Sequence, residues 1–400
     1  TIPATADAKT IREQQWHLKQ LHIAKAHKIT RGTGVTVAVV DTGVDRRHPD
    51  VQGALLKGKA FPAGNDHGWE DPEGHGTCMA SLIAGSGSPY RDGTVGVAPN
   101  VKILPVRVDS SVTNLSKGIE WAADHGADIV NVPMWDFKDD RLKAAVDHAI
   151  KRGAIVVAAV GTYSDIYWPA AYPGVLAVSA TKPKGDLSKY SSSGPEVALS
   201  APGKDILCST NKFETGYGIY DGTGPAAAIV AGVAALVKSG YPGLDPANLI
   251  NRLIATADDR GPKGRDDKYG YGMINPVKAL TADVPEAKTN PLLPSASPAS
   301  PTAQADDTSI SPGPMTITLI SLAAVTMLAI AFVLILLGAT TRRRHTAQPQ
   351  AAGNLPQNHG GTDPGRHRSD ALEHSAHPDH PRAATPRASR HRQSPYDHPR

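Results

Sequence analysis

The chain has little cysteine, few aromatic residues, and no sustained apolar run in its first 30 positions. Two cysteines in 400 residues, Cys78 and Cys208, exclude a disulfide framework or a Cys-rich zinc site and leave at most one bridge. The fold must therefore stand on its core. Residues 1–30 lack the apolar h-region of a secretory signal. Excess charge of one sign is also missing from most of the chain. The formal net charge is +4, but the 59 residues from Arg342 onward hold 10 Arg against 5 Asp or Glu, leaving the other 341 residues at a net −1. A basic isoelectric point that comes from a tail is no argument for a nucleic-acid partner, and none is expected. With 40% apolar and 20% charged residues the chain is not disordered throughout, and its length would allow more than one core.

Residues 1–280 read as one globular α/β domain with a mainly parallel central sheet, residues 1–30 forming an N-terminal extension. Short apolar runs, Val35 to Val40, Val101 to Val108, Ala127 to Val132, Ala154 to Ala159 and Val175 to Ala180, suit strands buried on both faces. Between them, Leu142, Ala145, Val146, Ala149 and Ile150 mark one face of a helix ending before Gly153. A second helix, over Ala226 to Val237, is apolar on most sides and is expected to be deeply buried.

Beyond this domain the composition changes. Residues 281–314 hold seven prolines among Ser, Ala and Thr, which favours an extended linker. Thr316 to Gly338 is uncharged, and 23 residues at about 1.5 Å each reach about 35 Å, enough to cross ~30 Å of hydrocarbon. One C-terminal transmembrane helix is expected within 315–341. Arg342, Arg343 and Arg344 follow it directly, so the positive-inside bias places residues 342–400 in the cytoplasm and the globular domain outside. That orientation needs an export signal, so a signal peptide is expected to have been removed. The tail holds half of the 16 histidines, with Arg and Pro, and reads as disordered. Its histidines show no regular ligand spacing.

Three segments carry chemistry. Val37-Ala38-Val39-Val40-Asp41-Thr42-Gly43-Val44-Asp45 brings an aspartate to a strand end beside a glycine turn, where α/β sheets place their sites. Gly74-His75-Gly76-Thr77-Cys78-Met79-Ala80 opens a small-residue helix with a histidine held between glycines. The third segment is Gly222-Thr223-Gly224-Pro225-Ala226-Ala227-Ala228-Ile229-Val230-Ala231-Gly232.

With Gly96-Val97-Ala98-Pro99, these segments resemble the subtilisin-like (S8) serine proteases from about Gly34 to Ala279. The resemblance implies the subtilisin-like three-layer fold, with Asp41 and His75 as triad members and the nucleophile expected in the third segment. There Gly224 stands where the family has serine, and glycine offers no attacking atom. Thr162, in Val160-Gly161-Thr162, stands where the family has its oxyanion asparagine and lacks the carboxamide donor. Pro133, Met134 and Trp135 replace a Ser-Leu-Gly run of the substrate cleft. Pro133 has no backbone N–H to give a bound peptide, and Trp135 is bulky where glycine leaves room. A missing nucleophile leaves at most a residual ~10³- to 10⁴-fold over water.

An exported subtilisin-like domain with a Pro-rich linker, one span and a basic tail is similar to the mycosins of type VII secretion. That resemblance implies a place in a membrane secretion complex, and with Gly224 at the nucleophile position the expected protein is a pseudoprotease there, structural or peptide-binding, with complex subunits and a peptide or protein ligand as partners. Two rivals stand beside it. One is an active endopeptidase, for which Thr223 is the only hydroxyl close to Gly224 in sequence. The other is a surface receptor signalling through the tail. Asp41 and His75 would then persist as a buried hydrogen-bonded pair. Cys78 and Cys208 are either bridged or two separate buried small residues. Trp16, Trp69 and Trp168 read as packing residues. No metal site or cofactor is expected; many members of the family bind calcium, but no calcium loop stands out.

Overall fold

The computed structural model describes residues 9–61, 67–88, 92–163 and 165–294. The expected membrane span, the cytoplasmic tail and the linker beyond Pro294 lie outside the described residues.

Seven parallel strands make the main sheet, in the order β2-β3-β1-β4-β5-β6-β7. They are β1 (Thr36–Asp41), β2 (Lys59–Ala60), β3 (Lys102–Arg107), β4 (Ile129–Val132), β5 (Ile155–Ala159), β6 (Leu176–Thr181) and β7 (Leu199–Pro202). The five apolar runs read from the sequence are β1, β3, β4, β5 and β6, within two residues at each end. β2 and β7 are edge strands too short to stand out as runs. An antiparallel pair, β8 (Ile206–Ser209) with β9 (Tyr217–Tyr220), lies apart from the sheet.

Three short helices, α1 (Ile11–Gln14), α2 (Trp16–Gln20) and α3 (Ile23–Ala26), precede β1. The longer ones are α4 (His75–Ala84), α5 (Val112–Asp124), α6 (Asp140–Lys151) and α7 (Thr223–Gly240), followed by α8 (Pro246–Ala255) and α9 (Pro276–Thr281). α5 and α6 pack together over one face of the sheet, while α4 and α7 pack together over the other. Strand alternation sorts the core accordingly. Val37, Val39, Ile129, Ile155, Val157, Leu176 and Val178 join the α4 and α7 cluster, whereas a side chain on Gly118 of α5 would meet Val40 and Val106.

Among the described residues, α7 alone is long and apolar enough to cross a membrane, but 83% of it is buried in the protein. It is the central core helix, and its all-round apolarity follows from contact with β4, β5, β6, β7, α4 and α9. The packed chain also runs past the expected boundary at 280. Ala287 N–H donates to Asn248 Oδ1 at 2.7 Å, and Gly174 N–H donates to the Leu292 carbonyl at 3.0 Å. Residues 283–293 read as linker from composition alone because their anchors are residues far away in sequence.

Candidate active site

The chain leaves β1 for β3 on one side of the sheet and later adds β4 on the other, so the strand order reverses beside β1. Crevices at such switch points, at the carboxyl ends of the strands, are where open α/β sheets bind ligands. Asp41 ends β1 there. Val37 and Val39 face the α4 and α7 layer, and Asp41, two positions on, faces it too.

α4 begins at His75 because its first amides find acceptors on neighbouring side chains. Gly76 N–H donates to Thr42 Oγ1 at 3.0 Å, and Thr77 N–H donates to Asp71 Oδ2 at 2.8 Å. The flanking glycines make the approach of the two segments sterically feasible. Gly74 has φ of 72°, and a Cβ on Gly76 would lie 2.0 Å from the Gly43 carbonyl oxygen. His75 Nδ1 consequently stands 2.8 and 2.9 Å from the two carboxylate oxygens of Asp41. Asp41 Oδ1 also accepts from Thr42 N–H at 2.6 Å. With Nδ1–H donating to Asp41, the neutral ring carries its lone pair on Nε2, the form that can take a proton.

Both residues are buried. Burial, the largest influence on His75, opposes its charge, but Asp41, by charge and hydrogen bond, and then Asp71 and Glu73 outweigh it. The His75 pKa lies above the ordinary histidine value.

Gly224 is the second residue of α7. A Cβ built on it would stand 3.4 Å from His75 Nε2 and 2.9 Å from the Pro133 carbonyl oxygen. Four sequence-predicted residues, Asp41, His75, Pro133 and Gly224, are thus brought together. Thr162 stands alongside, its Cγ2 3.6 Å from where a Gly222 Cβ would be. Thr223 Oγ1 is engaged with the Gly161 backbone, 3.1 Å from its nitrogen and 3.2 Å from its oxygen.

One cleft expectation needs correction. Met134 does not line an open cleft; it is 3% exposed, because the chain leaving β4 turns it into the core. Trp135 is half-buried beside the site. Its ring packs on Tyr167 with centroids 4.3 Å apart, and it meets Tyr163 edge-on. Trp69 is more than a packing residue, since it carries the Arg46 guanidinium over its ring at 5.2 Å. Arg46, Trp69, Glu70, Arg107 and Asn211 line a cavity of about 330 Å³ beside the His75 loop. Trp16 packs against the core as expected.

The bridge left open by sequence is formed: Cys78, one turn after His75, is bonded to Cys208 on β8 at an S–S distance of 2.03 Å. Sequence reasoning missed Asp71. Its signal, legible in retrospect, is an acidic residue four positions before the histidine, at the mouth of a helix whose N-cap is a glycine without a side-chain acceptor.

A strand-end Asp and a helix-start His, paired beside the first turn of a buried helix in a three-layer parallel fold, define a subtilisin-type protease scaffold. The chain belongs to the subtilase family, whose profile matches residues 32–272. Mycosin-1 of Mycolicibacterium smegmatis is 32% identical over 348 residues, covering 71% of this chain and 76% of the relative. Subtilisin DY of Bacillus licheniformis is 35% identical over 269 residues, covering 63% of this chain and 94% of the relative. Among solved structures, the serine protease MycP1, described as an essential component of the type VII (ESX-1) secretion system, superimposes with a TM-score of 0.61. It is 32% identical, covering 70% of this chain and 91% of that one.

Proposed function

We propose that this protein is a membrane-anchored mycosin-like pseudoprotease, with its globular part outside the cytoplasm, serving as a structural or peptide-binding element of a type VII secretion complex. One observation carries the loss of chemistry. The position facing His75 Nε2 is Gly224, which has no side chain, and the adjacent hydroxyl, Thr223 Oγ1, is hydrogen-bonded to Gly161. Acyl transfer needs a nucleophile within hydrogen-bond reach of its base, about 2.6 to 3.2 Å. The likeness to MycP1 supports the secretion-complex setting. The anchor rests on the uncharged stretch Thr316 to Gly338 followed by three arginines.

The test uses the full-length protein in detergent against a diverse peptide library, beside His75→Ala and the double variant Gly224→Ser with Thr162→Asn. The unaltered protein is expected to cleave nothing above the His75→Ala background. Cleavage that disappears in His75→Ala would reveal another nucleophile and overturn the pseudoprotease reading. In the double variant a fluorophosphonate is expected to label the introduced serine only slowly, because the new Cβ must displace the Pro133 carbonyl. Restoring the asparagine in the Gly224→Ser background should raise turnover by about 10²- to 10³-fold, the usual worth of an oxyanion donor. The complex itself is tested by co-purification: failure to retain membrane channel subunits from the native membrane would count against the structural role.

A further inference from the structure

The charged side chains of the domain divide unevenly between the two ends of its sheet. Because the seven strands run parallel, all of them start at one end and finish at the other. Asp41 lies at the finishing end, where the loops after β3 and β4 add Asp109, Asp136, Asp139 and Asp140. The starting end has the opposite sign. Lys28 and Arg31 lie in the segment entering β1, Lys102 is the first residue of β3, and Lys151 ends α6 shortly before β5. All four are exposed.

Backbone contacts hold these segments together. Asn100 N–H donates to the Arg31 carbonyl at 2.9 Å, Lys102 N–H to the Val35 carbonyl at 2.9 Å, and Ile155 N–H to the Asp128 carbonyl at 3.0 Å. With neighbouring strands ~4.8 Å apart, the starts of β3, β1, β4 and β5 span about 15 Å. The acids at this end are engaged elsewhere. Asp128 accepts from Thr36 N–H at 2.9 Å, Asp124 pairs with His148 and Arg152 at 2.9 and 3.3 Å, and Asp245 caps α8. Among the described residues, none of the four cations has a carboxylate partner, and Lys102 Nζ reaches only the Gly53 carbonyl at 3.3 Å. Ile29, between Lys28 and Arg31, is 50% exposed. An apolar side chain flanked by cations suits a bilayer surface, where Lys and Arg meet lipid phosphates and the apolar group enters the headgroup boundary.

The path of the chain points to the same partner. Gly174, just before β6, donates to the Leu292 carbonyl at 3.0 Å and accepts from Asn290 Nδ2 at 3.2 Å, so the described chain ends at the starting end of the sheet. The uncharged stretch from Thr316 begins 22 positions beyond Pro294, a separation that spans at most about 75 Å. Tethered so closely, an attraction too weak to hold a free protein on lipid suffices.

We propose that the strand-start end, through Lys28, Arg31, Lys102 and Lys151 together with Ile29, rests on anionic phospholipid and turns the Asp41 and His75 end away from the bilayer. The proposal rests on the anchored reading above for what holds the domain near lipid, and not on the loss of catalysis.

Full-length protein reconstituted in vesicles of phosphatidylcholine, alone or mixed with phosphatidylglycerol, tests this. A fluorophore is placed through Thr33→Cys or, at the other end, Ser110→Cys; both positions are exposed, and the native cysteines are bonded to each other. Spin-labelled lipid headgroups are expected to quench the Thr33 position at least threefold more than the Ser110 position when phosphatidylglycerol is present. The excess should vanish in phosphatidylcholine alone, in Lys28→Glu with Arg31→Glu, and at 1 M salt, where the screening length is about 3 Å. Equal quenching at the two positions with phosphatidylglycerol overturns the proposal, and so does an excess that survives the charge reversal or the loss of anionic lipid. An alkaline carbonate wash reads the anchor separately. Protein that shows the excess but washes off would refute the anchor and leave the basic face standing. Protein that resists the wash without the excess would refute the basic face alone, and protein that does neither would refute both.

Discussion

Thr77 gives both its amide and its hydroxyl to one oxygen of Asp71, at 2.8 and 2.6 Å from Oδ2. The other oxygen accepts from Thr42 Oγ1 at 2.7 Å and from Gly74 N–H at 2.8 Å. One buried carboxylate therefore ties the turn after Asp41 to the helix start that carries His75. Asp71→Asn keeps the shape but turns an amide group toward these donors. It is expected to cost about 1–3 kcal/mol, read as a lower midpoint in urea unfolding at pH 7. An unchanged midpoint would show that the ties are dispensable.

His75 provides a pH signature of the dyad. Its folded pKa is raised, so its contribution to stability is fully present below the unfolded value of about 6.5 and is lost as pH rises through the folded pKa. Ring titration by NMR should find the midpoint above that value. In Asp41→Asn it should fall, because burial then acts against the charge with only Asp71 and Glu73 opposing it. A midpoint indifferent to Asp41 would contradict the geometry.

The Cys78–Cys208 bridge closes a separation of 130 residues. Chain entropy puts the stabilisation from such a loop at no more than about 5 kcal/mol, with measured values commonly 2–4. Replacing both cysteines by alanine is expected to lower Tm by roughly 5–10 °C without changing the circular dichroism of the folded state. A shift under 1 °C would mean that packing alone fixes α4 against β8.

His17, on α2, is fully buried, and neither ring nitrogen has a hydrogen-bond partner within the described structure. Burial lowers its pKa to about 3. The unfolded chain then binds more protons between about 6.5 and 3, so stability is complete above the upper value and falls below it by up to about 1.4 kcal/mol per pH unit. His17→Phe should remove that part of the acid sensitivity. Parallel stability curves for the two proteins between pH 7 and 4 would refute it.

Much of the fold was legible because its strands are continuous apolar runs and its central helix is apolar all round. Asp41 and His75 were legible for a related reason: a strand end with a glycine turn, and a histidine between glycines, are local signals of close backbone approach. The hairpin of β8 and β9 left no such trace, since its strands are four residues each and only β8 is buried throughout. Asp71 was passed over because one acidic residue in the loop Glu70-Asp71-Pro72-Glu73 reads as solvated until its donors from Thr42, Gly74 and Thr77 are seen around it.

By itself, the sequence determined the alternation of strands and helices, the order of Asp41, His75 and Gly224, and the composition changes after residue 280. These are properties of neighbouring residues, set by side-chain period, backbone freedom and hydropathy. Only the tertiary structure decided that Cys78 meets Cys208, that the Pro133 carbonyl crowds Gly224, that Met134 turns inward, and that Trp135 packs on Tyr167. Each depends on a distance between segments far apart in the chain, which is set by how α4 and α7 pack on the sheet and not by any local preference.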